Sequence, residues 1–370
     1  MSFIMNIRSV AKYESKILVR SCFFRIFTLL AVVFLGFFNF AMMLMEDNFG
    51  LWFAKSVSSN IPYLNLLLLN TGQAVVAVFL SSEFLKRDKK LDTSEVFYVR
   101  PLSNAEYVVG KIWGNLRVFL FLNLLVLAIV LAFNFMASGV TVDLPAYLVY
   151  FFLISIPTLI FIIGLSIFLM LLLKNQALTF ILLLGYIGLT LFYIQDKFYY
   201  LFDYMVYNLP LFKSTIVGFS NLELILNHRA IYFFAGLGFI FFTIFLFKRL
   251  PNARRSHYPW LFLSFCMFLL MVTAGFRHVR SILWEGEMRA LYTSINNKYV
   301  YEPKMAIDYY DISVEQKSET IRSVVGMEGT ALAASEVFIF CLNPGLRVEE
   351  VKDGELSLIH ISEPTRRSYI

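Results

Sequence analysis

Seven long apolar runs, separated by charged connectors, constrain this chain more than any other feature. They are residues 26–45, 61–80, 118–135, 147–172, 177–194, 231–247 and 260–276. Each comes close to the roughly 20 residues that a helix needs to cross a hydrocarbon core. None alternates as membrane β-strands do, and inside lipid a helix satisfies its own backbone hydrogen bonds. The sequence therefore predicts an all-α membrane bundle of six spans (residues 26–250) plus a seventh span (260–276).

Lysine and arginine predict the orientation of the bundle. If the N-terminus is cytoplasmic, the basic clusters at residues 8–25, 86–117 and 248–255 all lie on the cytoplasmic side, as the positive-inside rule requires. The predicted location is the bacterial cytoplasmic (inner) membrane, with the C-terminal module outside. The net charge of +6 is then a topology signal, and charges dispersed among spans argue against a nucleic-acid partner. The first run is too long for a cleavable signal peptide.

The seven runs contain no Asp, Glu, Lys, Arg or His. Transporters driven by protons or sodium ions commonly keep such groups at membrane depth, so this absence argues against them. The chain also lacks a GxxxxGK[ST] phosphate loop. If nucleotide drives transport, a separate chain binds it.

The connector between the second and third runs carries two helix-start signals. Asp92 and Glu95 have capping-box spacing, and with Pro101 they predict a short helix at about residues 93–99. Ser103 and Glu106 repeat the pattern and predict a second helix that continues into the third span. A well-ordered basic loop on an ordinary multi-span protein would explain both signals equally well.

A series of short motifs resembles the type-2 ATP-binding-cassette exporter permeases. They are Arg20-Ser21-x-x-Phe24-Arg25, Glu83-x-x-x-Arg87-Asp88-Lys89-Lys90, Asp92-Thr93-x-Glu95, Pro101-x-Ser103 and Tyr107-x-x-Gly110-Lys111, and the resemblance covers about residues 1–250. It implies a permease subunit that pairs with a second copy or homologue. It also implies no cofactor in this chain, because ATP and Mg²⁺ would bind a separate cytoplasmic ATPase. The implied coupling helix, which docks on that ATPase, comprises Asp92, Thr93, Ser94, Glu95, Val96, Phe97, Tyr98 and Pro101.

The first 25 residues form a predicted membrane-surface helix. Arg8, Lys12, Lys16 and Arg20 recur every four residues and make one basic stripe, which suits the headgroups of anionic lipid. The family resemblance implies that this helix borders the ATPase. The alternative is a positive cluster that only sets the topology.

Two further features of the bundle leave alternatives open. The connector at residues 195–230 is too aromatic for a wet loop; the resemblance implies an outer-leaflet re-entrant segment near 197–228 made of short helices, and the alternative is a simple aromatic belt. Several polar residues and one proline interrupt the apolar runs. Asn65, Asn70 and Gln73, together with Asn39, Asn123 and Pro157, could line a substrate path, or the polar ones could bridge helices by hydrogen bonds.

After residue 276 the pattern changes to a helical stalk followed by strands. Alternation from Ala306, an apolar run at 337–342 and a turn into 346–351 predict a partial, truncated β-sandwich ectodomain over residues 277–355. Tyr309-Tyr310-Asp311-Ile312-Ser313-Val314 and the apolar pattern from Phe338 to Val351 resemble the N-terminal β domain of zinc aminopeptidases. This resemblance supports an alternative function, a membrane-anchored aminopeptidase-like or binding protein.

No catalytic or metal residue is predicted in the chain. The HExxH helix of such peptidases is absent, and His228, His257 and His278 lack metal-ligand spacing, so they are expected at interfaces or in loops. Cys22, Cys266 and Cys341 are scattered, which excludes a disulfide framework. The chain itself is therefore not expected to be an enzyme.

The last 15 residues carry a different signal. Residues 356–366, LSLIHISEPTR, are the in-frame translation of a transposon-end sequencing adaptor, and we expect residues 356–370 to be a processing artefact. We expect the native gene to continue past Glu355 with more strands, and any site assigned to this tail should be disregarded.

Overall fold

The structure is a computed structural model. It describes residues 2–44, 57–90, 102–136, 142–194, 196–209, 211, 213–214, 218–219, 221–247, 258–302, 305–317, 320–334, 339–340, 342, 346–353 and 356–357. For residues 2, 82–90, 352–353 and 356–357 only the backbone is described. Two compact units result, residues 1–214 with 222–279, and residues 215–221 with 280–370.

The first unit is a bundle of long helices. After α1 (Ser2–Arg20) the spans are α2 (Cys22–Leu44), α3 (Asn60–Lys90), α4 (Asn104–Met136), α5 (Leu144–Tyr150) continued by α6 (Ile156–Leu173), α7 (Gln176–Leu189), α8 (Leu222–Leu246) and α9 (Tyr258–Lys298). π-helical turns at Phe151–Ser155 and Thr190–Ile194 join α5 to α6 and extend α7. Among the described residues, seven helices are long and apolar enough to cross a membrane, which confirms a multi-pass membrane protein.

The sixth span begins earlier than its apolar run. We expected it from residue 231, but α8 starts at Leu222 and therefore includes His228 and Arg229. Both side chains are buried, at 0% and 2% exposure. The helix is longer than its apolar run because hydropathy counts Arg229 as a charge and does not register its hydrogen-bond partners from elsewhere in the fold. His278 is likewise buried, within α9.

Close glycine contacts hold the bundle together. An added Cβ at Gly164 would lie 2.6 Å from the Gly236 carbonyl oxygen, and one at Gly236 would lie 2.7 Å from the Ile160 carbonyl carbon. The backbones of α6 and α8 therefore touch, which is the packing that small residues permit between membrane helices. A Cβ at Gly238 would lie 2.8 Å from the Phe268 ring, so this side chain of α9 packs directly against the α8 backbone.

The second unit contains a two-stranded antiparallel ribbon. Strands β1 (Met305–Lys317) and β2 (Thr320–Ala331) pair along their whole length, and β3 (Lys352–Asp353) pairs with β4 (Leu356–Ser357). The side chains of both long strands are mostly exposed, including the predicted apolar face of Tyr310, Ile312 and Val314. The described residues therefore form a ribbon and no sandwich.

The two strands predicted after β2 do not form in the described residues. Ile339, Phe340 and Leu342 have no strand pairing, and neither does the 346–351 segment. A two-stranded ribbon has no interior, and Phe340, Leu342 and Leu346 are accordingly exposed. The helical stalk is present, because α9 continues to Lys298.

Candidate functional site

Helix α1 docks on the first turns of α4 through small residues. An added Cβ at Gly110 would lie 2.7 Å from Val10 Cβ, and one at Gly114 would lie 2.9 Å from the Ala11 carbonyl oxygen. Two glycines four residues apart form one flat face, which lets the helices approach closely. The buried face of α1 is therefore set by α4, and the basic stripe faces away from it.

Polar contacts reinforce this helix pair. Lys111 Nζ lies 3.8 Å from Glu14 Oε2, and both side chains are less than 5% exposed. Ser15 Oγ donates to the Gly114 carbonyl at 2.6 Å, and Arg117 donates to Ser15 Oγ and to the Ala11 carbonyl. Such buried pairs fix one register between two helices, because breaking one leaves a charge without its partner.

The connector enters α4 through a reciprocal capping box, as the sequence predicts. The Glu106 carboxylate accepts from the Ser103 backbone N–H at 2.6 Å, and Ser103 Oγ accepts from the Glu106 backbone N–H at 3.1 Å. Asn6 of α1 donates to the other Glu106 oxygen at 2.9 Å. Asn104 donates to the carbonyl of Phe247, at the end of α8, at 2.6 Å. We call the group Asn6, Ser103, Asn104, Glu106 and Phe247 the junction.

The other predicted coupling residues cannot be placed. Asp92, Thr93, Ser94, Glu95, Val96, Phe97, Tyr98 and Pro101 lie outside the described residues. The membrane-surface residues are placed: Arg8, Lys12, Lys16 and Arg20 are all exposed on α1. Their role at lipid or at a partner stays a prediction.

Buried amides connect α2, α3 and α4 in the bundle interior. Asn39 and Asn65 exchange two hydrogen bonds, at 2.7 and 3.1 Å. Asn123 donates to Gln73 at 2.8 Å and accepts from Asn70 at 3.3 Å. Asn65, Asn70 and Gln73 are each at most 1% exposed. These amides bridge helices, as the alternative proposed; their path-lining role stays a prediction.

The middle of the connector between the fifth and sixth spans is buried rather than wet. Tyr204, Met205, Val206, Leu209 and Leu211 are each at most 2% exposed. Its one described helical element is a turn at Phe198–Tyr200, so the expected short re-entrant helices are not formed in the described residues. Residues 222–228 of the predicted segment belong to α8.

Side chains from the bundle hold this connector by its carbonyl groups. In chain order, His278 donates to the carbonyl of Tyr199, His228 to that of Tyr200 and Tyr232 to that of Leu201. Thr158 and Arg229 both donate to the carbonyl of Tyr204. Tyr63 donates to the carbonyl of Val206, Tyr150 to that of Leu211 and Ser59 to that of Lys213. The donors come from the α3, α5–α6, α8 and α9 segments. Irregular backbone is tolerated at a membrane only where protein satisfies it, and this series does so.

Arg229 is the most highly connected of these donors. Its guanidinium donates to the carbonyls of Leu153 at 2.7 Å and Ile154 at 3.5 Å, both in the π-helical turn, and to Thr158 Oγ1 at 2.8 Å. A π-helical turn loosens its local backbone bonding, and such turns recur at functional sites. Arg229 therefore ties the π-helical turn between α5 and α6 to the connector.

Asp203 supplies the negative charge in this region. Its carboxylate accepts from the backbone N–H groups of Tyr207 at 3.0 Å and Asn208 at 2.8 Å. Burial raises the pKa of the Asp203 carboxyl, and these hydrogen bonds and the charge of Arg229 oppose that rise. Burial also raises the pKa of the neighbouring Tyr204 phenol well above its usual value.

The two buried histidines lie side by side. The ring centroids of His228 and His278 are 5.1 Å apart. No group of three or more His, Cys, Asp or Glu residues that could hold a metal ion occurs in the described part of the chain. His257 lies outside it, and the described cysteines, Cys22 and Cys266, are free.

Sequence reasoning missed the most connected of these residues. Glu14, Asp203 and Arg229 were not singled out; the partners of Glu14 and Arg229 lie far away in sequence, and Asp203 accepts from backbone N–H groups, which carry no residue signature. The one readable signal was the Gly110–Gly114 spacing, which marks a close helix contact without naming the partner helix.

A scan against protein-family models finds no match for this chain, and a search of curated proteins finds no matching protein. The contacts of the described residues must therefore carry the functional argument.

Proposed function

We propose that this chain is the membrane permease of an ATP-driven exporter, forming half of a dimeric pathway. ATP and Mg²⁺ would bind a separate cytoplasmic ATPase, which docks on the 92–101 segment. The single observation that carries this proposal is the junction, where that segment enters α4 beside α1 and the end of α8. The substrate is left open.

The junction has the properties that a mechanical input needs. A docked partner can move a helix bundle only if the docking segment is fixed to the helices that must move. Glu106 links the segment's end to α1, and Asn104 links it to α8. The Tyr107 and Phe247 rings stack with centroids 5.4 Å apart, which adds an apolar contact to the same link. A displacement at residue 102 would therefore reach three helices together.

Coupling is tested with a double variant of the docking segment. Glu95→Ala/Phe97→Ala should insert normally but should no longer stimulate the partner ATPase, because the docking face is removed. The measurement is ATP hydrolysis by the co-purified complex in lipid nanodiscs. Normal permease-dependent stimulation in this variant would count against the proposal.

The junction itself is tested with matched asparagine variants. Asn104→Ala removes the bond to α8, whereas Asn175→Ala removes a local cap, because the Asn175 side chain accepts from the Leu178 N–H of the helix that it precedes. We expect Asn104→Ala to keep the ATPase bound but to lower its stimulation several-fold. Asn175→Ala should behave as wild type. Equal stimulation in the two variants would show that the junction transmits nothing.

Orientation requires its own test, since it rests on the distribution of Lys and Arg. Single cysteines introduced as Ser94→Cys and Ser318→Cys should react with a membrane-impermeant maleimide from opposite sides of the membrane. Labelling of both from one side would contradict the proposed topology.

The second candidate is a membrane-anchored hydrolase or binding protein whose spans serve mainly as an anchor. The exposed β1–β2 ribbon of the second unit favours it, because such a surface suits a larger ectodomain. Seven spans exceed what an anchor needs, so we rank it second. Co-purification in mild detergent separates the two: a stoichiometric ATPase favours the exporter, and its absence favours the anchor.

A further inference from the structure

Two histidines hold one turn of the connector from two different helices. His228 Nε2 of α8 lies 3.0 Å from the Tyr200 carbonyl oxygen, and His278 Nε2 of α9 lies 2.9 Å from that of Tyr199. A carbonyl oxygen only accepts, so each Nε2 must carry the proton. In the neutral imidazole each Nδ1 is then an unprotonated acceptor, and that of His228 is buried without a hydrogen-bond partner in the described chain.

The turn that they hold is a strained one. Phe198, Tyr199 and Tyr200 all have positive φ angles, of 52°, 59° and 62°. Residues with a Cβ rarely adopt this left-handed conformation in succession, and it persists only where the surroundings enforce it. The two imidazoles and Tyr232, which donates to the next carbonyl, at Leu201, provide that enforcement.

The charges around the histidine pair are mainly positive. Buried Arg229 follows His228 on α8 and acts on it electrostatically, as does His278. Glu223 and Arg277 form an exposed ion pair between α8 and α9, so their charges largely cancel. On the connector, Asp203 is engaged by Tyr207 and Asn208, while Tyr199 and Tyr200 face the rings with carbonyl groups. The Tyr232 phenol on α8 also packs against the His228 ring.

We propose that His228 and His278 form a proton-sensitive latch that holds the 198–205 turn against α8 and α9 when neutral and releases it when both are protonated. The proposal does not depend on the export role, because it concerns only the attachment of the connector.

The physical reason is the placement of the second proton. One imidazolium is tolerated at His278, since the carbonyls of Tyr199 and Leu224 both lie at its ring. A second at His228 would face His278 across 5.1 Å and Arg229 on the same helix, with little water to screen them. Release of the turn lets water reach and screen these charges. The open form therefore binds more protons. A fall in pH below about 6.5, the ordinary pKa of an imidazole, shifts the equilibrium toward this open form.

The test measures access to the connector core. In a background with Cys22, Cys266 and Cys341 replaced, Met205→Cys reports opening, since Met205 is 2% exposed, and Tyr301→Cys is the reference, since Tyr301 is 95% exposed. The ratio of their maleimide labelling rates in nanodiscs, without ATPase or nucleotide, cancels the pH dependence of the thiol reaction. We expect this ratio to rise about tenfold between about pH 7.5 and pH 5.5, the effect of roughly one net proton.

The matched control replaces both histidines by glutamine. The Gln Nε2 group can still donate to a carbonyl but cannot be protonated, so His228→Gln/His278→Gln should keep the turn closed with a ratio that changes less than about twofold. A flat wild-type profile, or an equal rise in the double variant, would overturn the latch. If the double variant does not purify as a single species, the single variants decide: each must show a smaller rise than wild type, and a full rise in both would refute the proposal.

Discussion

The seating of α1 on α4 gives a prediction whose magnitude follows from the contacts. Gly114→Ala places a methyl group 2.8 Å from Glu14 Cβ, 2.9 Å from the Ala11 carbonyl oxygen and 3.2 Å from Ala11 Cα. Two of these three atoms belong to the backbone, so no rotamer change relieves the clash. The whole of α1 must move away, and its buried contacts with α4 weaken.

Two opposing terms set the expected size. Alanine is favoured over glycine inside a helix by about 0.8–1.0 kcal/mol, whereas overpacking a close contact costs about 1–3 kcal/mol. Gly185→Ala in α7 is the matched control, since an added Cβ there meets nothing within 4 Å. It should show the propensity gain alone. We therefore expect Gly114→Ala to be less stable than Gly185→Ala by about 1–3 kcal/mol.

Two measurements check this difference. Reversible unfolding in mixed micelles compares the free energies of the two variants and wild type. Limited trypsin digestion reports on α1 itself, because Arg8, Lys12 and Lys16 are exposed yet protected by their helical backbone. Faster cleavage there in Gly114→Ala, with no change in Gly185→Ala, is expected. Equal stability and equal cleavage in both variants would refute the close packing of α1 on Gly114.

Three further predictions concern single contacts. Ser103→Ala removes the cap of α4 and should cost about 1 kcal/mol in the same unfolding assay; no loss would mean that the cap contributes nothing. Lys111→Met removes the cation beside buried Glu14 and should cost about 3–5 kcal/mol, most of which Glu14→Gln/Lys111→Met should restore; a double variant as unstable as the single one would contradict the pairing. Burial raises the pKa of the Asp203 carboxyl in the folded protein. This carboxyl therefore stabilises the fold at low pH, where it is protonated, and the contribution is lost as the pH rises from the ordinary carboxyl pKa through the raised pKa of the folded state. The stability advantage of wild type over Asp203→Asn should therefore shrink as pH rises, and a growing advantage would show that the hydrogen bonds outweigh burial.

Local signals in the sequence predicted the bundle and one end of the candidate site. Seven apolar runs give seven helices, because lipid leaves the backbone no other local solution. The capping box at Ser103 and Glu106 was equally readable, since both partners lie within one helical turn. These features depend on residues close together in sequence.

Long-range features could not be predicted in the same way. Hydropathy excluded Arg229 from the sixth span, although carbonyls from the π-helical turn satisfy its guanidinium. The left-handed turn at Phe198–Tyr200 carries no glycine, so nothing in its sequence marks it. The strand predicted at 337–342 illustrates the opposite case: its local pattern was apolar, yet its described residues, Ile339, Phe340 and Leu342, have no strand pairing.

Helix α8 connects the two ends of the candidate site. The C-terminal end of α8 is held at the junction, where Asn104 donates to the carbonyl of Phe247. Toward its N-terminal end, Arg229 donates to the connector at the carbonyl of Tyr204. These positions are separated by about 27 Å along the helix at 1.5 Å per residue. Between them, the contact of Gly236 with α6 leaves little room for bending, since the two backbones already touch. If the docked ATPase displaces the junction, α8 and α6 should therefore shift together and carry the displacement to the connector. If so, Gly236→Ala, which forces these backbones apart, should reduce ATPase-coupled movement of the connector at Met205 while leaving ATPase binding intact.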